Sequence, residues 1–294
     1  MIKIKRSLGE RIFEKFNVLF MLLIAFIMAY PLLYVILASF SDPYSLMGHT
    51  GLLLKPLGFS VQSYIMMSKN EMILLGYLIT LIIVFVGTTV NLFLTALGAY
   101  FLSLKGPMLK RPITLMIVIT MYFSGGMIPF YFTVTDLGID NSYLALILPT
   151  AINTFNLIVM RTAFEAVPNE MRESAYIDGA GDWRVLFQFI LPLSKATVAV
   201  VLLYYMVSHW NAWFNAVLFI NDRELYPLQL VLREILIQSD TSSMQAGTIS
   251  DDQFAVSQTI KYAVTVVATV PILCIYPFVQ KYFEKGVMLG GVKG

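Results

Sequence analysis

Charge is scarce in this sequence, and so are the residues that hold metals or cross-link a fold. Only 13% of its 294 residues are Asp, Glu, Lys or Arg, against 58% hydrophobic, and there are two histidines and one cysteine. Mean hydropathy is +0.75. A soluble domain must cover its core with polar side chains, so this balance excludes a water-soluble globule and makes lipid the solvent for most of the chain. A lone Cys274 excludes a disulfide framework. His49 and His209 are too far apart in sequence for a metal site of usual ligand spacing, so neither a structural metal nor redox chemistry is expected. Nothing in the composition calls for nucleic acid. No GxxxxGK[ST] phosphate loop occurs, because the nearest approach, Gly286 to Lys293, has the wrong spacing and lacks the final hydroxyl residue, so the chain is not itself an ATPase.

What is present is a set of long uncharged runs. Stretches near the roughly 20 residues needed to cross a bilayer fall at 16–40, 72–104, 112–135, 141–160, 196–221 and 262–280, which predicts an all-α integral membrane protein with six transmembrane helices in one domain. The second run exceeds what the hydrocarbon accommodates and is expected to enter it near Leu75. The first run follows Lys3, Lys5, Arg6 and Arg11 like a signal peptide but is too long and lacks a clean cleavage site, so it is expected to remain.

Basic residues cluster in the N-terminal tail, at Lys105, Lys110 and Arg111, at Arg161, Arg172, Arg184 and Lys195, and at Lys281, Lys285 and Lys293. These segments alternate along the six runs and hold about 15 of the 20 Lys and Arg, which places both termini in the cytoplasm. The opposite side then carries 41–71, 136–140 and 222–261. In the last, Leu228, Val231, Leu232, Ile235 and Leu236 recur at helical spacing, suggesting a short amphipathic helix on the membrane surface before the polar stretch 239–252.

Gly87, Asn91, Thr95 and Ala99 line one face of the second run at four-residue spacing and suit close helix packing. Pro31, Pro129, Pro149, Pro271 and Pro277 lie inside runs and are expected to kink them.

The segment 165–193, EAVPNEMRESAYIDGAGDWRVLFQFILPL, is longer and more polar than a simple connection requires. It reads as two short helices: Pro168 suits the first turn of one, Asp178-Gly179 ends it with Gly179 in a left-handed conformation, and the second runs to Pro192. Glu173-Ser174-Ala175, Asp178-Gly179-Ala180 and Ile190-Leu191-Pro192-Leu193 together resemble the EAA loop of binding-protein-dependent ABC importer permeases. Serine stands at Ser174 where that family usually has alanine, and Phe189 where an aliphatic residue is common.

The likeness extends to Tyr122-Phe123-Ser124-Gly125-Gly126-Met127-Ile128-Pro129, Trp210-Asn211-Ala212-Trp213, residues 228–235, and 281–286 with Gly294. These are similar to carbohydrate importers, and more narrowly to those taking up aldouronate, rhamnogalacturonan or alginate oligosaccharides. The resemblance implies the MetI-like permease architecture in a bacterial cytoplasmic membrane and a non-catalytic transport subunit that binds no cofactor. Its partners would be a second permease, usually a different chain, two ATPase subunits that bind ATP and Mg, and an extracellular or periplasmic sugar-binding protein. It further implies that Glu173, Ser174, Ala175, Asp178, Gly179, Ala180, Leu191 and Pro192 couple the permease to the ATPase.

Sugar recognition combines amide hydrogen bonds with aromatic faces. Trp210, Asn211, Trp213 and Asn215 concentrate both in the fifth run, with Asn153 and Asn156 in the fourth, and these are the pathway candidates. Helical spacing would put Trp210 with Trp213 on one face and Asn211 with Asn215 on one face. His209 reads as a hydrogen-bonding residue and not a proton carrier. An ion-coupled sugar carrier is the alternative function. It would require acidic or basic groups inside the spans, and the cores of the assigned runs contain none. A membrane enzyme would require a converging set of reactive groups, which the sequence does not offer.

Overall fold

A computed structural model of the chain describes residues 7–106, 108–244, 259–275 and 277. The Lys3, Lys5 and Arg6 charges, most of the 239–252 stretch and the C-terminal residues from 278 lie outside them.

Helix α1 spans Leu8–Ser39, opened by a reciprocal capping box between Ser7 and Glu10. Two short helices follow, α2 at Pro43–Met47 and α3 at Gln62–Ser68. Helix α4 then runs unbroken over Glu71–Ser103. After it come α5 at Lys110–Ile119, α6 at Met127–Asp136, α7 at Leu144–Ile147 continuing as a 3-10 turn through Thr150, and α8 at Thr154–Glu165. Next are α9 at Asn169–Ile177, α10 at Asp182–Val185, a π turn at Leu186–Ile190 and α11 at Leu191–Leu193. The series closes with α12 at Lys195–Trp210, α13 at Phe214–Phe219, α14 at Leu228–Met244 and α15 at Thr259–Ile275. No strand occurs among the described residues.

Two of these helices, α1 and α4, are long and apolar enough to cross a membrane on their own. At about 1.5 Å per residue the 33 residues of α4 reach about 50 Å, longer than a hydrocarbon core. The other apolar runs are interrupted. The third divides into α5 and α6 around Thr120–Gly126, the fourth bends by 51° between Thr150 and Thr154, and the fifth divides at Asn211–Trp213. The runs at 112–135, 141–160 and 196–221 are thus each made of more than one helical piece. Pro149 lies in the 3-10 turn that closes α7 before the bend, whereas Pro129, expected to kink a helix, instead begins one in the first turn of α6. A missing N–H costs nothing there, because first-turn N–H groups have no intrahelical acceptor. Pro31 does lie inside α1.

The described residues form two compact units, 7–69 with 234–244 and 259–269, and 70–106 and 108–233 with 270–275 and 277. In the first, Ala38, Leu46 and Leu53 are buried beside Tyr34 and Tyr262. The Tyr64 hydroxyl donates to Ser39 Oγ at 2.8 Å, and burial pushes that phenol above its ordinary pKa. In the second, α4 packs against both α8 and α12. Gly87, Asn91, Thr95 and Ala99 are all buried, so the small face of α4 is the packing face. The cluster of Ala96, Ala99, Leu102, Leu157, Met160, Phe164 and Val201 continues without interruption into Ala175, Ala180, Val185, Leu186 and Ile190. One apolar core thus joins the helices to the 165–193 segment. The start of α14 is also inside this unit. Leu228 is fully buried, its N–H donates to Thr80 Oγ1 at 2.8 Å, and its backbone lies 3.1 Å from where a Cβ on Gly76 would be. The first turn of the expected surface helix is therefore packed against protein.

Candidate functional site

The 165–193 segment folds into a two-helix knob closed by its own backbone. Pro168 takes φ −54° and ψ 136° and is the N-cap of α9, one position before the first turn where the sequence suggested it. At the other end Ala180 N donates to Ala175 O at 2.9 Å and Gly179 N to Tyr176 O at 3.0 Å, the paired bonds of a Schellman motif. Gly179 has φ +79°, a conformation glycine reaches without a Cβ penalty. Ala175 and Ala180, the two ends of the longer bond, are both buried. The second helix does not stop at Pro192. It widens into the π turn at Leu186–Ile190 just before Leu191-Pro192 and ends at Leu193, and a widened turn relieves the clash a proline ring makes with the carbonyl one turn earlier. Residues Asp182–Leu193 lie at 89° to α12.

The knob has two faces. Glu173, Ser174, Ile177, Asp178 and Gly179 are exposed, with Ile177 at 86%, and Trp183 is exposed beside them. Ser174 Oγ donates to Met171 O at 3.1 Å. Arg172 and Ala175 turn inward, and Tyr176 is partly exposed between the two faces. Arg172 is buried; its Nη2 donates to Phe164 O at 2.5 Å and to Ser103 Oγ at 3.2 Å, and its Nη1 reaches Ser103 O at 3.5 Å. The Tyr176 hydroxyl donates to Asp182 Oδ1 at 2.6 Å, and burial followed by that bond pushes its phenol above the ordinary pKa. Of the residues expected to couple, Glu173, Ser174, Asp178, Gly179 and Pro192 are exposed, Leu191 is half-buried, and Ala175 and Ala180 are in the core.

A cavity of about 500 Å3 opens at the bend before α8, lined by Thr150, Asn153, Phe155, Asn156, Tyr204, Tyr205 and Ser208 among others. Neutral hydroxyls and amides share its walls with Pro149, Ile152 and two rings at the side, Phe155 and Tyr204, 6.3 Å apart. Asn153 and Asn156 both line it, and the Asn153 side chain also caps α8 by accepting from Asn156 N at 3.1 Å. Tyr205 Oη accepts from Asn153 N at 3.0 Å and lies 2.7 Å from Thr95 Oγ1. Asn91 Nδ2 donates to Thr150 O at 3.2 Å and lies 3.0 Å from His209 Nε2, so His209 is a buried hydrogen-bonding residue.

The fifth-run candidates do not gather here. Because α12 ends at Trp210 and the helix resumes only at Phe214, spacings of three and four no longer mean a shared face, and the pairings expected from an unbroken helix are corrected. Trp210 is buried 6.1 Å from the Tyr77 ring. Asn211 caps α12 and donates to Val207 O at 2.9 Å, Trp213 lies under the Arg233 guanidinium at 4.0 Å, and Asn215 is half-buried. The residues sequence reasoning did not single out are Tyr205, whose partners are remote in the chain, and Arg172 with Tyr176. The last two are four apart on α9, a spacing that could have flagged a shared face. Among the described residues no group of His, Cys, Asp and Glu could hold a metal ion.

Comparison with known proteins agrees with this geometry. Residues 77–289 match the family described as binding-protein-dependent transport system inner membrane component. The chain is 41% identical to the polygalacturonan/rhamnogalacturonan transport system permease protein YtcP of Bacillus subtilis (strain 168), over 97% of this chain and 99% of that one. It is 40% identical to Protein LplC of the same organism, over 97% and 96%. Among solved structures it resembles a chain of a bacterial ABC transporter involved in the import of the acidic polysaccharide alginate, with a TM-score of 0.86 and 28% identity over 96% of this chain and 100% of that one.

Proposed function

This chain belongs to the binding-protein-dependent transport system inner membrane component family of ABC importer permeases, and on that premise we propose that it carries polysaccharide-derived oligosaccharides across a bacterial cytoplasmic membrane. In this reading it is a single permease domain with six spans and both termini in the cytoplasm. Its partners are a different permease chain forming the other wall of the pathway, two ATPase subunits that bind ATP and Mg, and an external sugar-binding protein. The knob is the cytoplasmic coupling element. The substrate class is supported by the named relatives and by the cavity at the bend before α8, whose amide and hydroxyl groups beside the Phe155 and Tyr204 rings suit a sugar. Asn153 and Asn156 are its pathway residues here, with Trp210, Asn211, Trp213 and Asn215 farther along.

The observation that carries the coupling reading is the two-faced knob: Glu173, Ser174, Ile177 and Asp178 exposed together on a turn whose own geometry is fixed by Gly179 and by buried Ala175 and Ala180. Such a surface offers a rigid charged projection to a partner's cleft. The test is to purify the tagged chain from its native membrane in mild detergent, wild type beside Glu173→Lys, and identify what accompanies it by mass spectrometry. A P-loop ATPase and a second permease are expected with the wild type, and the ATPase is expected to be lost from the variant. A chain recovered alone, with no ATPase, overturns the proposal in favour of ion-coupled transport.

A further inference from the structure

Arg172 is buried and Tyr176 lies one turn on along α9, and what the arginine touches lies at the ends of two other helices. Ser103 is the last residue of α4, and Phe164 is next to last in α8. Carbonyls in the last turn of a helix have no intrahelical donor and carry its negative partial charge, so one buried guanidinium reaching both ends satisfies them and ties them together. The same guanidinium lies 5.9 Å from the centroid of the Tyr100 ring, three residues before Ser103 on α4. The Tyr100 hydroxyl is 3.0 Å from the Tyr176 hydroxyl and donates to Asp182 Oδ1 at 3.1 Å, so Asp182 of α10 receives from both tyrosines.

Taking a charge out of water is costly, so packing alone does not explain a buried Arg172. Its Nε is buried without a partner, which leaves its polar potential less than fully used in this arrangement. What the arrangement secures is direction. Helix α4 carries Asn91 and Thr95, and α8 carries Asn156 and follows its cap Asn153, so the two helices held by Arg172 are those bearing the polar groups at and beside the bend cavity.

We propose that Arg172, beside a Tyr100 ring whose hydroxyl is held by Tyr176 and Asp182, is the positioning residue that makes the knob move as one body with the ends of α4 and α8, and so passes a displacement at Glu173 to the transport cavity. This rests on the coupling reading above. A lysine cannot take its place, because one ammonium cannot reach the ends of both helices with the fork geometry of a guanidinium.

The test uses the complete importer, with Cys274→Ser and paired spin labels at Ile177→Cys on the exposed knob and Phe155→Cys at the start of α8. On adding a non-hydrolysable ATP analogue, the Ile177–Phe155 distance is expected to stay fixed in the wild-type background. It is expected to change by about 5 Å or more, a helical turn, in Arg172→Gln, with Arg172→Lys between the two. The ATPase and the second permease should still be recovered with the tagged chain in both variants, which loss of folding would not allow. If Arg172→Gln fails to assemble, Tyr176→Phe, which removes one hydroxyl and keeps the ring, is expected to show the same loosening at smaller amplitude. A distance as fixed in Arg172→Gln and Tyr176→Phe as in wild type overturns the inference. The label at Ile177 separates this from failure of the coupling reading: if its motion is no more restricted in the complex than in the isolated chain, the knob does not meet the ATPase at all.

Discussion

Two breaks in this helical chain, at Gly179 and at Ala151–Asn153, are closed in different ways. At Gly179 the freed backbone groups find each other within six residues, through Ala180 N to Ala175 O and Gly179 N to Tyr176 O. At the bend before α8 local bonds, Ala151 N to Leu148 O and Asn156 N to Asn153 Oδ1, are joined by side chains from far away: Tyr205 Oη takes the N–H of Asn153, 52 residues earlier, and Asn91 Nδ2 reaches Thr150 O, 59 residues later. A break closed locally keeps its shape when its surroundings move, which suits a projection that docks. One closed by neighbouring helices has a shape that depends on where those helices stand, which suits a cavity that must open and close.

The largest expected effect tests the local closure. Gly179→Pro forces φ to about −65° where the chain needs +79°, and removes the N–H that Tyr176 O accepts. Uptake is expected to fall by at least about tenfold while the chain still inserts, as judged by its yield in membranes. Gly179→Ala meets no atom within 4 Å of its Cβ, so its cost is conformational alone, about 1–2 kcal/mol. If the alanine variant takes up substrate as well as wild type while proline does not, the lost N–H and not the left-handed angle alone is what matters at Gly179.

This difference also explains what could be read without the structure. Gly179, Ala175 and Pro192 sit in a short linear pattern because their partners are local, so the two-helix knob was legible down to the left-handed glycine. The cavity was only half legible. Asn153 and Asn156 were candidates as amides in an apolar run, but Tyr205 looked like one more aromatic in a span. Nothing local marks a hydroxyl whose partners are Thr95 and Asn153. The fifth-run pairings failed because hydropathy counts apolar residues and does not see the backbone break at Asn211–Trp213. Arg172 was visible only as one of the basic residues that set topology, since the helix ends it joins are 69 and 8 residues away.

Next in size is the remote closure itself. Tyr205→Phe takes from the Asn153 N–H and Thr95 Oγ1 the oxygen they share, and at the buried Thr95 an unmet polar group costs about 1–3 kcal/mol. A lower melting temperature in detergent is expected, together with reduced uptake and unchanged recovery of the ATPase with the chain. Unchanged uptake would show that the bend holds its shape without Tyr205 and would erase the contrast between the two breaks. Gly87→Ala acts on the same cluster from α4. Its Cβ would lie 2.6 Å from His209 Nε2, so the ring must shift away from Asn91. A loss of about 1–3 kcal/mol is expected. Combining it with His209→Ala should cost less than the two losses added, because the clash then has no partner.

The smallest effect belongs to Glu165, where the knob segment begins outside the proposed spans. Its carboxylate accepts from Lys110 Nζ at 3.2 Å and Arg161 Nε at 3.0 Å. Burial pushes the carboxyl up, but those two hydrogen bonds and charges outweigh it and hold it below the ordinary carboxylate pKa. The sign follows from the lowered value: the pairing stabilises the fold above the unfolded carboxylate pKa and is lost as pH falls through the folded one. The side chain is 36% exposed, so solvent screens the pair and its worth is under about 1 kcal/mol. Glu165→Gln is therefore expected to lower the melting temperature slightly at neutral pH, with the gap from wild type closing on acidification below the normal carboxylate range. A gap that stays constant with pH would mean that the shape of the side chain, and not its charge, joins Lys110 to Arg161. The knob would then be tied to the rest of the chain by Arg172 and its tyrosines, with no electrostatic help from this side.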